Sequence, residues 1–122
     1  MVERISEAEL VVMETLWADS PLTASDVVER IDGGRGWSDR TVKTLLGRLL
    51  AKGVLAHVED GRRYLYRPLV ERADYVAQES GRLVDRLFGG RAAPLVAHLA
   101  ESGQLSAADI AELEALVREL KS

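Results

Sequence analysis

Three times in the first half of the chain the same arrangement of polar and apolar positions recurs. An apolar residue, then a serine or threonine, then apolar residues at helical spacing follow one another at Ile5-Ser6, Leu22-Thr23 and Trp37-Ser38. A hydroxyl at that position accepts a hydrogen bond from a free backbone N–H of the first turn, and the apolar residue before it packs on one five positions later. The partners are Leu10, Val27 and Val42, and Glu9 and Asp26 complete capping boxes with Ser6 and Thr23. Three helices are therefore predicted. The first carries Leu10, Met13, Leu16 and Trp17 inward and ends near Asp19, because Pro21 disfavours helix at the residue before it. The second buries Val27, Val28 and Ile31 and stops at Asp32-Gly33-Gly34. At about 100° per residue, the third has an apolar face of Val42, Leu45, Leu46 and Leu49, with Leu50 at its edge. Its opposite face holds Arg40, Thr44, Gly47 and Ala51, flanked by Thr41, Arg48 and Lys43, before Gly53 closes it.

A short hairpin follows directly. Residues 54–59 and 62–67 are strand-like on either side of Asp60-Gly61, and Pro68 ends the second strand. Asp-Gly favours a two-residue type I′ turn, which pairs Glu59 with Arg62, Val58 with Arg63, His57 with Tyr64 and Leu55 with Tyr66. Leu55, His57, Tyr64 and Tyr66 then share a face, but Ala56, Val58 and Leu65 are apolar too, which leaves the inward face open.

The remainder is helical. Residues 70–88 carry Val76, Leu83, Val84, Leu87 and Phe88 up to Gly89-Gly90; Pro94 opens a short helix with Leu95, Val96 and Leu99, broken at Ser102-Gly103. Ser106, with Asp109 three residues on and the staple pair Leu105 and Ile110, starts a last helix in which Ile110, Leu113, Val117 and Leu120 keep heptad spacing beside Leu116. Three short helices with wide apolar stripes have little core of their own, so Leu83, Leu87, Phe88, Leu95, Leu99, Ile110, Leu113, Leu116, Val117 and Leu120 are expected to meet a second copy. The expected architecture is mainly α with a small β-hairpin wing: a winged helix-turn-helix over residues 1–69, then a C-terminal helical dimerisation domain over residues 70–122.

Charge sharpens this picture. The 122 residues sum to −4, which by itself argues against a nucleic-acid partner. Yet residues 35–67 hold eight basic side chains against three acids, whereas the flanking segments are both acidic. A local basic patch, rather than the net charge, steers a protein to a phosphate backbone. Arg40, Thr41, Lys43, Thr44 and Arg48 are the candidates for a major groove, and Arg62 and Arg63 for the backbone or an adjacent minor groove. Arg48 has a structural alternative, an ion pair with an acid of helix 1 or 2. Lys52 reads as a complement to the dipole of the third helix.

No catalytic chemistry is visible. The chain has no cysteine, which excludes disulfides and thiolate sites, and its two histidines, His57 and His98, lack partners at metal-ligand spacing. Ser38 and Ser106 cap helices, and no cofactor is implied. With no long apolar run and no leader-like opening, a cytoplasmic protein with no membrane insertion is expected. From the residues alone, sequence-specific binding of double-stranded DNA outweighs two alternatives: a winged-helix regulator answering to a small molecule between the C-terminal helices, and a protein-binding adaptor.

Trp17, the run Trp37-Ser38-x-x-Thr41-Val42-x-Thr44-Leu45-Leu46-x-Arg48-Leu49-x-x-Lys52-Gly53 and Gly61-Arg62-x-Tyr64-x-Tyr66-x-Pro68 together resemble the BlaI/MecI penicillinase-repressor family. The likeness continues through Phe88-x-Gly90 and Gln104-Leu105-Ser106-x-x-Asp109-Ile110. The resemblance implies a homodimeric repressor on a palindromic operator of β-lactam-resistance or related genes, in a pathway that includes a membrane sensor-protease. It also brings two departures. Where members that respond to β-lactams are cleaved at an Asn-Phe bond in the short C-terminal helix, this chain has His98-Leu99. The cysteine cluster of the related copper-responsive repressors is missing altogether.

Overall fold

The computed structural model of the chain describes residues 4–31 and 36–122. In chain order it holds α1 (Glu7–Ala18), α2 (Ala24–Arg30), α3 (Asp39–Ala51), β1 (Leu55–Asp60), β2 (Arg63–Pro68), α4 (Arg72–Phe88), α5 (Ala92–Glu101) and α6 (Ala107–Lys121). Two compact units divide it, Met1–Ala77 and Gln78–Ser122, so α4 starts in the first and continues into the second.

The caps explain where the helices start. Ser6 accepts the Glu9 N–H at 3.1 Å, and Glu9 Oε1 accepts the Ser6 N–H at 2.8 Å. Thr23 and Asp26 reciprocate at 3.1 Å each, and Ser106 and Asp109 at 3.0 Å each. Ser38 accepts the Thr41 N–H at 3.2 Å. The expected stop of α2 at Asp32-Gly33-Gly34 lies outside the described residues.

In the first unit the α3 stripe is as periodicity predicts: Val42, Leu45, Leu46 and Leu49 are buried and Leu50 is half-buried. They meet Val27 and Ile31 of the α2 region, Leu22, Val54 and Leu55, and Val12, Met13 and Leu16 of α1. On α1 the stripe is rotated from expectation. Val12 is fully buried while Leu10 and Trp17 are only partly so. Residues 10–13 are all apolar, and a continuous apolar run leaves the phase of a helix undetermined.

The rotation also buries Glu9, which keeps only 2% of its surface exposed. A buried carboxylate needs a charge partner, and Lys52 supplies it, donating to Glu9 Oε1 at 2.6 Å and to the Arg4 carbonyl at 2.8 Å. This corrects two readings. Of Arg48 and Lys52, it is Lys52 that answers an acid of α1, and Lys52 does more than complement a helix dipole. Lys52 lies three and seven residues beyond Leu49 and Leu45, on the side of the helix that faces α1, whereas Arg48 points away and is exposed.

The hairpin forms with a different register. Asp60 pairs with Arg63, Glu59 with Tyr64, Val58 with Leu65, His57 with Tyr66 and Leu55 with Pro68, so the loop is Gly61-Arg62 rather than Asp60-Gly61. Gly61 adopts φ +68° and Arg62 shows no positive φ, the signs of a type II′ turn; type I′ needs both positive. Moving the loop by one residue shifts each partner by two, and an even shift keeps every side chain on its face. Leu55, His57, Tyr64 and Tyr66 still share one, and it is the inward one: Leu55 and Tyr66 are buried, while Val58 on the other face is 57% exposed. Periodicity gave no hint of a third extended segment. Leu22 and Tyr66 exchange two backbone hydrogen bonds, at 3.1 and 2.8 Å, which tie the hairpin to the turn between α1 and α2.

In the second unit α4 ends at Gly89-Gly90 and α5 at Ser102. Pro94 is accommodated because first-turn N–H groups have no intrahelical acceptor. No residue from 78 to 122 is buried within the chain. Ile110, Leu116 and Val117 are about half exposed and Leu120 is 76% exposed; Leu83, Phe88, Leu95, Leu99 and Leu113 are intermediate and Leu87 is exposed. The His98-Leu99 bond lies inside α5, the His98 carbonyl accepting the Ser102 N–H at 3.0 Å and that of Leu99 the Gln104 N–H at 3.0 Å.

Candidate nucleic-acid interface

The third helix divides into two sides. Its apolar half is sealed in the core, while Arg40, Thr41, Lys43, Thr44, Gly47, Arg48 and Ala51 are all exposed on the rest. Thirteen residues make a rod of roughly 20 Å. The two threonines are held by their own helix: the Thr44 hydroxyl donates to the Arg40 carbonyl at 3.0 Å, and the Thr41 hydroxyl lies 3.2 Å from that of Ser38. Each keeps acceptor capacity toward the outside. The cations are not so held. Among the described residues, Arg40, Lys43, Arg48 and Arg62 make no ion pair. Arg63 reaches Asp60 at 3.4 Å, an exposed contact of little strength.

Lys43 of α3 and Arg62 and Arg63 of the wing line one cleft of about 470 Å³, together with the start of α2 from Thr23 to Asp26 and the rings of Tyr64 and Tyr66. The Leu22–Tyr66 exchange brings them together by fastening the wing beside the start of α2. Arg40, Thr41, Thr44 and Arg48 lie outside this cleft, along the exposed side of α3. Asp26 also belongs to the cleft, and sequence reasoning saw in it only a cap. The Thr23 backbone N–H and hydroxyl hold its carboxyl below the usual range against the opposing effect of burial, with Arg30 and Arg63 adding to the shift. One fixed negative charge therefore stands beside the three cations. Burial, reinforced by Tyr64, pushes the Tyr66 phenol up, so that ring stays neutral. His57 packs its ring against Tyr64 and Tyr66, with centroids 4.4 and 5.6 Å apart. Among the described residues no three His, Cys, Asp or Glu side chains gather as a metal site, and no helix is long and apolar enough to cross a membrane.

A helix-turn-helix whose third helix turns a cationic side outward, followed by a hairpin with basic residues at its tip, defines a winged-helix protein of the nucleic-acid-binding kind. The chain belongs to the penicillinase repressor family, whose model matches residues 5–119. It is 33% identical over 121 residues to the penicillinase repressor of Bacillus licheniformis, covering 99% of this chain and 94% of that one. It is also 33% identical over 109 residues to the methicillin resistance regulatory protein MecI of Mammaliicoccus sciuri, 89% of each. A solution structure of the Bacillus licheniformis repressor BlaI in its monomeric form, in complex with the blaP half-operator, superposes with a TM-score of 0.53 at 36% identity, covering 62% of this chain and 92% of that one. The family is one of transcriptional repressors.

Proposed function

We propose that the chain represses transcription by binding double-stranded operator DNA as a homodimer, on a palindromic site that controls resistance or related genes. α3 of each copy enters a major groove and the wing grips the adjacent backbone. The observation that carries this reading is the exposed cationic side of α3, which makes no ion pair among the described residues, in a family whose BlaI member has been seen on a half-operator. An exposed, unneutralised row of arginine and lysine contributes nothing to the core, and it gains free energy when it displaces counterions from a duplex. Arg40, Thr41, Lys43, Thr44 and Arg48 are assigned to base edges and phosphates, Arg62 and Arg63 to the backbone. DNA binding is assigned to residues 1–69 and dimerisation to residues 70–122, and the protein acts in the cytoplasm.

Titration against duplex DNA from upstream of the chain's own gene tests this. Binding that weakens steeply with salt is expected, and Arg40→Ala with Lys43→Ala, which removes two cations from each copy, lowers it on the order of 100-fold, while the slope of log affinity against log salt falls by up to about 4. Salt-insensitive binding, or none, would mean a protein-binding adaptor.

Gly47 lies amid these cations. Its φ is not positive, and a Cβ added there meets nothing within 4 Å, so neither backbone nor core requires a glycine that costs roughly 1 kcal/mol in a helix interior. Gly81 of α4 has equally open space, so absence of crowding alone assigns no role; the cationic surroundings do. Close approach of the duplex accounts for it. Gly47→Ala is expected to raise the melting temperature of the free protein and weaken operator binding several-fold. Tighter or unchanged binding would remove the close approach.

A further inference from the structure

Five residues of the first unit, none of them on the exposed side of α3, fasten the start of α4 to α1. The Trp17 indole N–H donates to the Val70 carbonyl at 2.8 Å. The Trp17 ring lies 5.7 Å from that of Tyr75, which is the one buried residue of α4. Arg72, in the first turn of α4, grips both carboxylate oxygens of Glu14, from Nε at 2.7 Å and from Nη2 at 3.1 Å. A carbonyl, a ring and a guanidinium are thus held at three successive points along residues 70–75, all by one side of α1.

Neither the core nor the proposed DNA contact explains all three. The Arg72–Glu14 pair is about half exposed, and exposed pairs add little to stability. Its planar, two-pronged form instead fixes direction. A single point of attachment would hold the chain while leaving α4 free to swivel; a point just before the helix, at Val70, and two on its first turn, at Arg72 and Tyr75, restrain the direction in which it starts. α4 is a single helix from Arg72 to Phe88.

We propose that Glu14, Trp17, Val70, Arg72 and Tyr75 form a latch that fixes the exit direction of α4, so that a dimer presents its two recognition helices already spaced for both half-sites. This rests on the dimeric repressor reading. Binding of the second half-site is then an intramolecular step, whose effective concentration depends on how stiffly the two DNA-binding units are joined. Loosening the latch leaves each unit's own grip intact and removes part of that advantage.

The test uses the full chain on two duplexes: the palindromic site it protects upstream of its own gene, and the same duplex with one half scrambled. In Trp17→Phe, which keeps an aromatic ring and loses the indole N–H, combined with Arg72→Glu, preference for the full over the half site is expected to fall on the order of tenfold. Half-site affinity and the dimer measured by sedimentation are expected to stay as they were. Starting from Arg72→Glu alone, adding Glu14→Arg restores the pair with its charges exchanged and is expected to recover the lost preference. An unchanged full-site preference would overturn the latch. So would an equal loss on both duplexes, because the contacts would then maintain the unit's fold rather than the exit of α4. A wild-type protein that gains nothing from a second half-site would instead count against the dimeric reading itself.

Discussion

Val117→Glu with Leu120→Glu is expected to convert the protein to a monomer in sedimentation at micromolar concentration and to lower its affinity for a full operator about 100-fold or more. These positions on α6 are chosen because they are 47% and 76% exposed in the single chain, so charges placed there cost the isolated protomer little. In a two-copy interface the same carboxylates would be buried, like-charged and unpaired. The second unit has no buried residue of its own, so whatever core it acquires must come from association. Affinity for a half-operator is expected to stay within about twofold, because no contact assigned to DNA is altered and the loss is one of avidity alone. Full-operator affinity equal to wild type, or a variant that still sediments as a dimer, would show that pairing uses another surface.

Lys52→Met should destabilise the first unit by about 3 kcal/mol in urea unfolding at neutral pH, a figure typical of removing one partner from a buried ion pair. An unbranched apolar stem of similar length is kept, and the loss is that of the ammonium group on Glu9 and on the Arg4 carbonyl. The pH dependence follows from how Glu9 is held. Burial by itself would raise its carboxyl, but the hydrogen bond and charge from Lys52 and the Ser6 N–H outweigh burial and leave it below 4.5. A carboxyl depressed on folding contributes stability that is present above about 4.5 and lost as pH falls through the lower folded value. The gap between wild type and Lys52→Met is therefore expected to be largest at neutral pH and to close in acid. A gap that widened in acid would mean that the lysine stabilises through something other than the ionised carboxylate.

The parts of the fold written locally were legible before any coordinates. Helix starts are set by a hydroxyl and its neighbours within five residues, and all four serine and threonine caps are where the sequence places them. The α3 faces were legible for the same reason, since Val42, Leu45, Leu46 and Leu49 alternate with polar residues and fix the phase. Residues 10–13 of α1 offer no such contrast, so the burial of Val12 and Glu9 was hidden, and with it the partner of Lys52, 43 residues away. The hairpin was legible as a hairpin, but its register depends on which residue takes the positive φ, and Gly61 takes it as the first loop residue rather than the second.

The candidate site divides along the same line. Arg40, Thr41, Lys43, Thr44 and Arg48 could be grouped from helical phase alone. That Lys43 shares a cleft with Arg62, Arg63 and Asp26 depends on the Leu22–Tyr66 exchange, a backbone contact that side-chain pattern does not encode.

If the second unit, without a buried residue of its own, supplies the pairing assigned to it, repression depends on dosage. Where single chains outnumber pairs, the pair population follows the square of total chain, so halving expression leaves about a quarter as many operator-competent pairs. A gene under such control answers to a modest loss of repressor more sharply than it would to a repressor that acts as a single chain.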